Sequence, residues 1–200
     1  RRGAASAASR DGLVELQDAA SQALVDLMPV QATSRVLDYC AGGGGKALAL
    51  AARGAGQVVA HDTLPDRMKD IPNRASRAGV TITVADTHAL DGQFFDLVLC
   101  DVPCSGSGAW RRAPDGKWAL TPEKLATLVE TQAKILTQAA DLTSETGVLA
   151  YVTCSLFARE NGQQVETFLQ HNRGWQTMMV RQFTPEDGGD GFFVALFNRI

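Results

Sequence analysis

Strand-length apolar runs alternate along this chain with stretches whose apolar residues fall at helical spacing. In residues 16–28, Leu16, Ala20, Leu24 and Leu27 share one helical face, and Pro29 ends the helix they predict. Residues 35–40 read as a short strand that opens into Ala41-Gly42-Gly43-Gly44-Gly45-Lys46, followed by an alanine- and leucine-rich helix up to Gly54. The unit then repeats. A strand over 57–61 ends at Asp62, a helix from about Asp66 to Ala78 should be kinked or divided by Pro72, and a strand over 80–85 ends at Asp86. Residues 94–100 form a continuous apolar run, as expected of a parallel strand buried on both faces, and this run ends at Asp101. Thr121-Pro122-Glu123 combines a capping hydroxyl, a proline at the first helical position and an acid in the first turn. The helix it starts carries Leu125, Leu128, Val129, Gln132, Leu136, Ala139 and Leu142 on its inner face, to about Glu145. A fifth strand over 147–153 ends at Cys154, and a helix from about Arg159 to His171 buries Val165, Phe168 and Leu169.

The tail breaks the pattern. Residues 175–183 and 192–199 are strand-like, and only the turn-rich Pro185-Glu186-Asp187-Gly188-Gly189-Asp190-Gly191 separates them. With no helix between them they should pair antiparallel. The expected fold is therefore α/β, a doubly wound Rossmann-like sheet with an antiparallel C-terminal strand pair. Residues 1–15, which begin Ala/Ser/Arg-rich and unpatterned, read as a trimmed linker or the end of a preceding region, and 16–200 as one domain without internal repeats.

An apolar fraction of 45% with 20% charged residues is that of a soluble globular domain. No apolar stretch approaches the roughly 20 residues that span a bilayer, so no membrane partner is expected. Cys40, Cys100, Cys104 and Cys154 lie in or just after apolar runs without C-x-x-C spacing, which predicts no metal and a reduced, cytoplasmic setting. Arg1 in place of Met implies that sequence upstream has been cut away. A net charge of −3 argues against a strongly basic nucleic-acid surface, although Arg1, Arg2 and Arg10 at the start and Arg111, Arg112 and Lys117 after the central loop are local basic groups.

Asp38, Asp62, Asp86 and Asp101 each fall at the end of an expected strand, so a parallel sheet would line one crevice with acids. Beside a glycine loop, such acids favour a ligand with hydroxyl and amino donors. Gly42-x-Gly44-x-x-Ala47 with Asp62 matches the dinucleotide fingerprint, but Cys40 and Ala47 exclude a Walker-type phosphate loop. The other reading is S-adenosylmethionine (SAM). There the glycines admit its methionine part, Asp62 holds the ribose hydroxyls and Asp86 accepts from the adenine amine. The antiparallel tail and the thiols at strand ends favour SAM.

Asp101-Val102-Pro103-Cys104-Ser105-Gly106-Ser107-Gly108 places a carboxylate, a proline and a thiol at the mouth of the central strand, and Cys154 ends another. Two thiols and a carboxylate at two strand ends suggest covalent chemistry at one site. These residues, with Asp38-x-Cys40-Ala41-x-x-Gly44-Gly45-Lys46 and Tyr151-Val152-Thr153-Cys154-Ser155, recur in this order in the Nop2/Sun (RsmB-like) RNA cytosine-5 methyltransferases, which the chain resembles from about Gln17 onward. Gln17-Asp18-x-x-Ser21, Arg112-x-Pro114-Asp115-x-Lys117-Trp118, Glu160-Asn161 and Asp190-Gly191-Phe192-Phe193 add to the likeness.

The resemblance implies a SAM-dependent catalytic domain acting on RNA, with ribosomal RNA the expected partner. It also implies a monomer preceded by a helical RNA-binding domain. It makes Cys154 the nucleophile at carbon 6 of cytosine, Asp101 the group that supports ring nitrogen 3, Lys46 its helper and Cys104 the thiol that assists release. Cys40, Ala41, Gly42, Gly43, Gly44, Gly45 and Lys46 would hold the cofactor together with Asp62, Arg67, Asp86 and Asp101.

Gly42-Gly43 stands where the family usually has Ala-Pro, and Ala47 replaces a common Thr, which predicts a more flexible loop. Cys104 as nucleophile, as in DNA cytosine methyltransferases, is the competing assignment. The target base must leave its stack, against Trp110 or Trp118 and between Arg111 and Arg112, unless Trp118 packs under its loop. A nicotinamide-dependent dehydrogenase would have no use for Cys154. A catalytically inactive RNA-binding module would bind RNA without methyl transfer.

Overall fold

Alternate residues of the central strands face opposite sides, and both sides are apolar. In β4 (Phe95–Asp101), Leu97 and Leu99 point one way and Val98 and Cys100 the other, all fully buried. In β7 (Phe192–Arg199), Val194 and Leu196 alternate in the same way with Ala195 and Phe197. Strands buried on both faces need helices on both. A computed structural model, describing residues 7–200, has that three-layer arrangement.

The sheet runs β3-β2-β1-β4-β5-β7-β6. Its other strands are β1 (Arg35–Asp38), β2 (Gln57–Ala60), β3 (Thr83–Val84), β5 (Thr143–Thr153) and β6 (Trp175–Phe183). The first five are mutually parallel, and β7 inserts antiparallel between β5 and β6. Short α1 (Ala7–Arg10) precedes α2 (Ala19–Asp26), and α2, α3 (Gly45–Ala52) and α4 (Ile71–Arg77) cover one face through Leu24, Leu50 and Ile71. After short α5 (Asp115–Ala119), α6 (Pro122–Leu142) and α7 (Gly162–His171) cover the other through Leu136, Ala139, Val165 and Phe168. Among the described residues, no helix is long and apolar enough to cross a membrane.

Several boundaries differ from the sequence expectation for local reasons. The first core helix begins at Ala19, not Leu16, because the Asp18 carboxylate accepts the Ala20 amide at 3.0 Å and so caps it. Leu16 is left exposed. The segment is divided, but ahead of Pro72: a 3₁₀ turn (Pro65–Met68) stops before Lys69, and the proline sits in the first turn of α4, where its missing amide costs nothing. The expected strand over 80–85 shrinks to Thr83–Val84, which pairs only with β2 at the sheet edge. α6 stops at Leu142, where the Thr143 hydroxyl bonds the Ala139 carbonyl, and β5 begins at once. Residues 1–6 of the expected linker lie outside the described residues. Within its remainder, Glu15 pairs with Arg74 and Arg77 at 2.8 and 3.0 Å.

Gly108 joins the two ends of the sheet that matter most for the site. Its amide bonds the Cys154 carbonyl at 3.0 Å and its carbonyl accepts the Gly191 amide at 2.9 Å. A Cβ here would lie 2.0 Å from the Gly191 carbonyl oxygen, which is backbone and cannot swing aside. Gly108→Ala is therefore expected to lower unfolding free energy by about 1–3 kcal/mol, measured by urea denaturation.

Candidate active site

The parallel register brings four strand ends to one side of the sheet. Asp38 at the end of β1 stands opposite Ala60 of β2 and Leu99 of β4, and Asp101 stands opposite Val152 of β5. The loops that leave these ends enclose a crevice of about 710 Å³. Of the residues singled out from sequence, Cys40, Ala41, Gly42, Gly43, Gly45, Lys46, Asp62, Arg67, Asp101, Cys104 and Cys154 line it. Gly44 lies behind the loop, at φ +80°, where a Cβ would meet Ile71 at 2.7 Å.

Asp86 is the exception. Beyond Val84 the Ala85 amide still bonds the Ala60 carbonyl at 2.9 Å, and the exposed Asp86 carboxylate accepts the Ala89 amide at 2.9 Å and is not among the residues that line the crevice. Thr63 and Gln138, unmarked in the sequence, line the crevice.

Contacts hold the glycine loop where a proline would have fixed it. The Ala41 amide donates to the His61 carbonyl at 2.8 Å, and the Gly42 amide donates to Asp62 Oδ2 at 3.0 Å. Arg74, itself paired with Glu15, donates to the Gly43 carbonyl. Asp62 also receives the Leu64 amide at 2.9 Å on Oδ1 and Arg67 at 3.0 Å on Oδ2. Three donors leave this carboxylate one acceptor direction, on Oδ1, for a hydroxyl of a ligand. His61 is structural: it is buried, stacked on Tyr39 at 4.7 Å, and held by the Tyr39 carbonyl and the Thr87 hydroxyl.

One buried ammonium sits among the acids. Burial disfavours the Lys46 charge, but Asp101, by charge and by a 2.6 Å hydrogen bond to its Oδ2, outweighs this and raises the lysine pKa. Asp38 has no such relief. Neither of its oxygens has a hydrogen-bond partner. Burial and then the Asp101 charge push its pKa up to about 7, with the Lys46 charge only partly opposing them and the Ala47 amide too poorly placed to count as a hydrogen bond. A carboxylate buried without a partner in a crevice wall suits a cationic ligand group.

The two thiols touch. Cys104 Sγ lies 3.3 Å from Cys154 Sγ. The hydrogen bond from Cys104 lowers the Cys154 pKa, assisted by Lys46 and opposed by burial and Asp101. The same bond and burial raise that of Cys104. The pair is therefore asymmetric, with Cys154 the more readily ionised thiol and Cys104 the one that holds its proton more tightly. Burial raises the pKa of Cys40 and Cys100 and keeps both thiols protonated.

The basic loop differs from expectation. Arg111 and Arg112 both bind the fully buried Asp190, which fixes the loop to the turn before β7. Trp110 packs edge-on against Phe157 at 5.6 Å. Trp118 does not pack under the loop: it is 81% exposed on α5, with Lys117 Nζ 5.3 Å from its ring centre.

The Asp38 carboxyl ionises near 3.8 when unfolded and near 7 when folded, so the folded state binds the extra proton between these values. Stability of the ligand-free protein should fall as pH rises through that window and level off above it. Asp38→Asn, neutral throughout, should remove roughly 2–4 kcal/mol of this decline, read from urea unfolding at about pH 5 and about pH 8. Equal slopes in both proteins would mean that Asp38 stays ionised.

Residues 25–198 match the family model described as 16S rRNA methyltransferase RsmB/F. The chain is 36% identical over 199 residues to the ribosomal RNA small subunit methyltransferase B of Photorhabdus laumondii, covering 92% of this chain and 46% of that protein. It is 34% identical to the protein of the same name from Proteus mirabilis, covering 94% of this chain and 47% of that one. It thus spans about half the length of these curated relatives. Among solved structures, that of PH0851 superposes with a TM-score of 0.91 at 27% identity, over 97% of this chain and 49% of the other. NSun6 from Pyrococcus horikoshii with SFG has the same fold, with a TM-score of 0.88 at 22% identity over 98% of this chain and 56% of the other. The crevice fits the methyl donor of such proteins: Asp38 lacks a cationic partner, Asp62 keeps an acceptor free and the glycine loop admits a ligand closely. The chain belongs to the 16S rRNA methyltransferase RsmB/F family, and its cofactor is S-adenosylmethionine.

Proposed function

We propose that this chain is the catalytic domain, residues 16–200, of an enzyme that methylates carbon 5 of a cytosine in RNA, with ribosomal RNA as substrate, through a covalent bond to Cys154. The observation that carries this reading is the contact between two unlike thiols, Cys104 and Cys154, in the crevice that holds the Lys46–Asp101 pair. Amino-group methylation and nicotinamide chemistry leave that pair of thiols without a task.

In the cofactor half of the crevice, Asp38 would meet the ammonium of the methionine part, Asp62 a ribose hydroxyl, and the 40–46 loop the methionine backbone. Bound SAM supplies an electrophilic methyl group. Carbon 5 of cytosine is too poor a nucleophile to take it unaided. The Cys154 thiolate adds to carbon 6, which breaks the 5,6 double bond and turns the ring into an enamine nucleophilic at carbon 5. Asp101, sharing the proton of Lys46, hydrogen-bonds ring nitrogen 3 and offsets the charge that develops there. After methylation, a base must take the proton from carbon 5. Cys104, after giving its own proton to solvent water, takes it as a thiolate, and the electron pair left behind expels Cys154 as thiolate and restores the double bond. The base must be unstacked to reach these groups, and the exposed Trp118 offers it, or a neighbouring base, an aromatic face.

Cys154→Ala should abolish both methylation and any covalent bond to RNA. Cys104→Ala should still attack and methylate, then stall, so that a denaturation-resistant protein–RNA adduct accumulates with the methyl group already on the base. Gel analysis of each variant with labelled SAM and ribosomal RNA reads both outcomes. An adduct from Cys154→Ala and none from Cys104→Ala would reverse the two roles. Methylation intact in both variants would end the covalent reading.

A further inference from the structure

We infer that Glu160 is the positioning residue that holds the two thiols in register, by binding the residue after each of them. The inference rests on the covalent reading proposed above and adds a residue to which neither the family match nor the named relatives assign a part.

Glu160 lies in the turn before α7, with its amide on the Phe157 carbonyl at 3.0 Å, and its side chain is fully buried. Oε1 receives the Ser105 amide at 2.8 Å and Gln132 Nε2 at 2.9 Å. Oε2 receives the hydroxyls of Ser105 and Ser155, each at 2.5 Å. Four donors fill the four acceptor directions of an ionised carboxylate. Ser105 follows Cys104 and Ser155 follows Cys154, so a single carboxylate grips both thiol-bearing loops. Gln132 extends the grip to the Pro103 carbonyl at 3.0 Å. The Tyr151 hydroxyl closes it from β5 by donating to the Glu160 carbonyl at 2.7 Å.

The chemistry demands such a brace. One thiol attacks carbon 6 and the other serves the adjacent carbon 5, so both sulfurs must approach neighbouring atoms of one ring. A loop shift of an ångström would spoil one approach or the other. Cys104 lies in a loop of Ser and Gly after β4, and Cys154 just beyond the end of β5. The β4–β5 register and the bond from the Gly108 amide to the Cys154 carbonyl set the two loops side by side, and Ser107 accepts the Leu156 amide at 2.8 Å; Glu160 adds the tie at the residues directly after the thiols. The Glu160 charge also opposes ionisation of Cys104, in the same direction as its bond to Cys154 and its burial. No residue of the clamp lines the cofactor loop, so its loss should leave SAM binding alone.

The test uses the full chain with a small-subunit ribosomal RNA transcript containing 5-fluorocytosine, in which fluorine at carbon 5 blocks release and traps the adduct. For Glu160→Ala, SAM affinity by calorimetry should match wild type, while adduct formation and kcat on unmodified RNA fall about 10²-fold with little change in KM for SAM. Glu160→Gln keeps the shape, accepts from the Ser105 amide and Gln132, and can donate to the serine hydroxyls if they turn. It should recover about tenfold of the loss. If Glu160→Ala fails to fold, the double variant Ser105→Ala with Ser155→Ala, which strips both hydroxyls from the clamp, is expected to show the same split. Adduct formation by the alanine variant at the wild-type rate would overturn the inference. So would SAM affinity falling in parallel with kcat, which would indicate a general loss of structure. Wild-type methylation without any adduct would instead remove the covalent reading on which the inference rests.

Discussion

The pairing of β4 with β5 is the constraint on which the rest of the site depends. In parallel register, Leu97 to Asp101 stand against Val148 to Val152, so both strands end at the same level of the sheet. The Pro-Cys loop leaves one end and Cys154 follows the other, which is why two cysteines fifty positions apart arrive 3.3 Å from each other. Both strands are buried on both faces, and a slip of one residue would exchange the two apolar faces. The packing of Leu97, Leu99, Val98 and Leu149 in opposite core layers thus fixes the register, and the register fixes the thiols.

The electrostatics of the crevice follow from the same geometry. Parallel strands ending together bring Asp38, Asp62 and Asp101 to one edge, and one lysine enters from α3 to meet them. Lys46 goes to Asp101 and Arg67 goes to Asp62. Asp38, the deepest of the three, is left with neither an ion-pair nor a hydrogen-bond partner among the described residues. An unpaired buried acid costs stability in the free protein, and a ligand that brings a positive group there offsets that cost. Binding and stability are linked at this position.

The glycine loop illustrates how a departure from a family pattern can be absorbed. Where relatives of this type carry Ala-Pro, Gly42-Gly43 has no ring to restrict φ, yet Asp62, Arg74 and the His61 carbonyl hold its backbone from three sides. Glu15 in turn holds Arg74, so a residue from the segment ahead of α2 bears on the cofactor loop.

The sequence by itself determined the α/β alternation, the reversed C-terminal pair and the presence of a break in the segment around Pro72, because apolar period, proline geometry and capping residues act locally. It also marked the motif residues of the crevice, since Asp, Cys and Gly at strand ends are visible as a pattern in the chain. Only the tertiary structure decided which of these residues meet. It gave the Asp86 carboxylate to the Ala89 amide, a turn contact that the strand pattern of 80–85 does not record. It committed Arg111 and Arg112 to Asp190, some eighty positions away, and left Trp118 open to solvent. It alone showed that Asp38 lacks a partner and that Glu160 has four, for hydrogen bonding of a buried carboxylate depends on which distant donors packing delivers to it, and no local pattern in the chain records that.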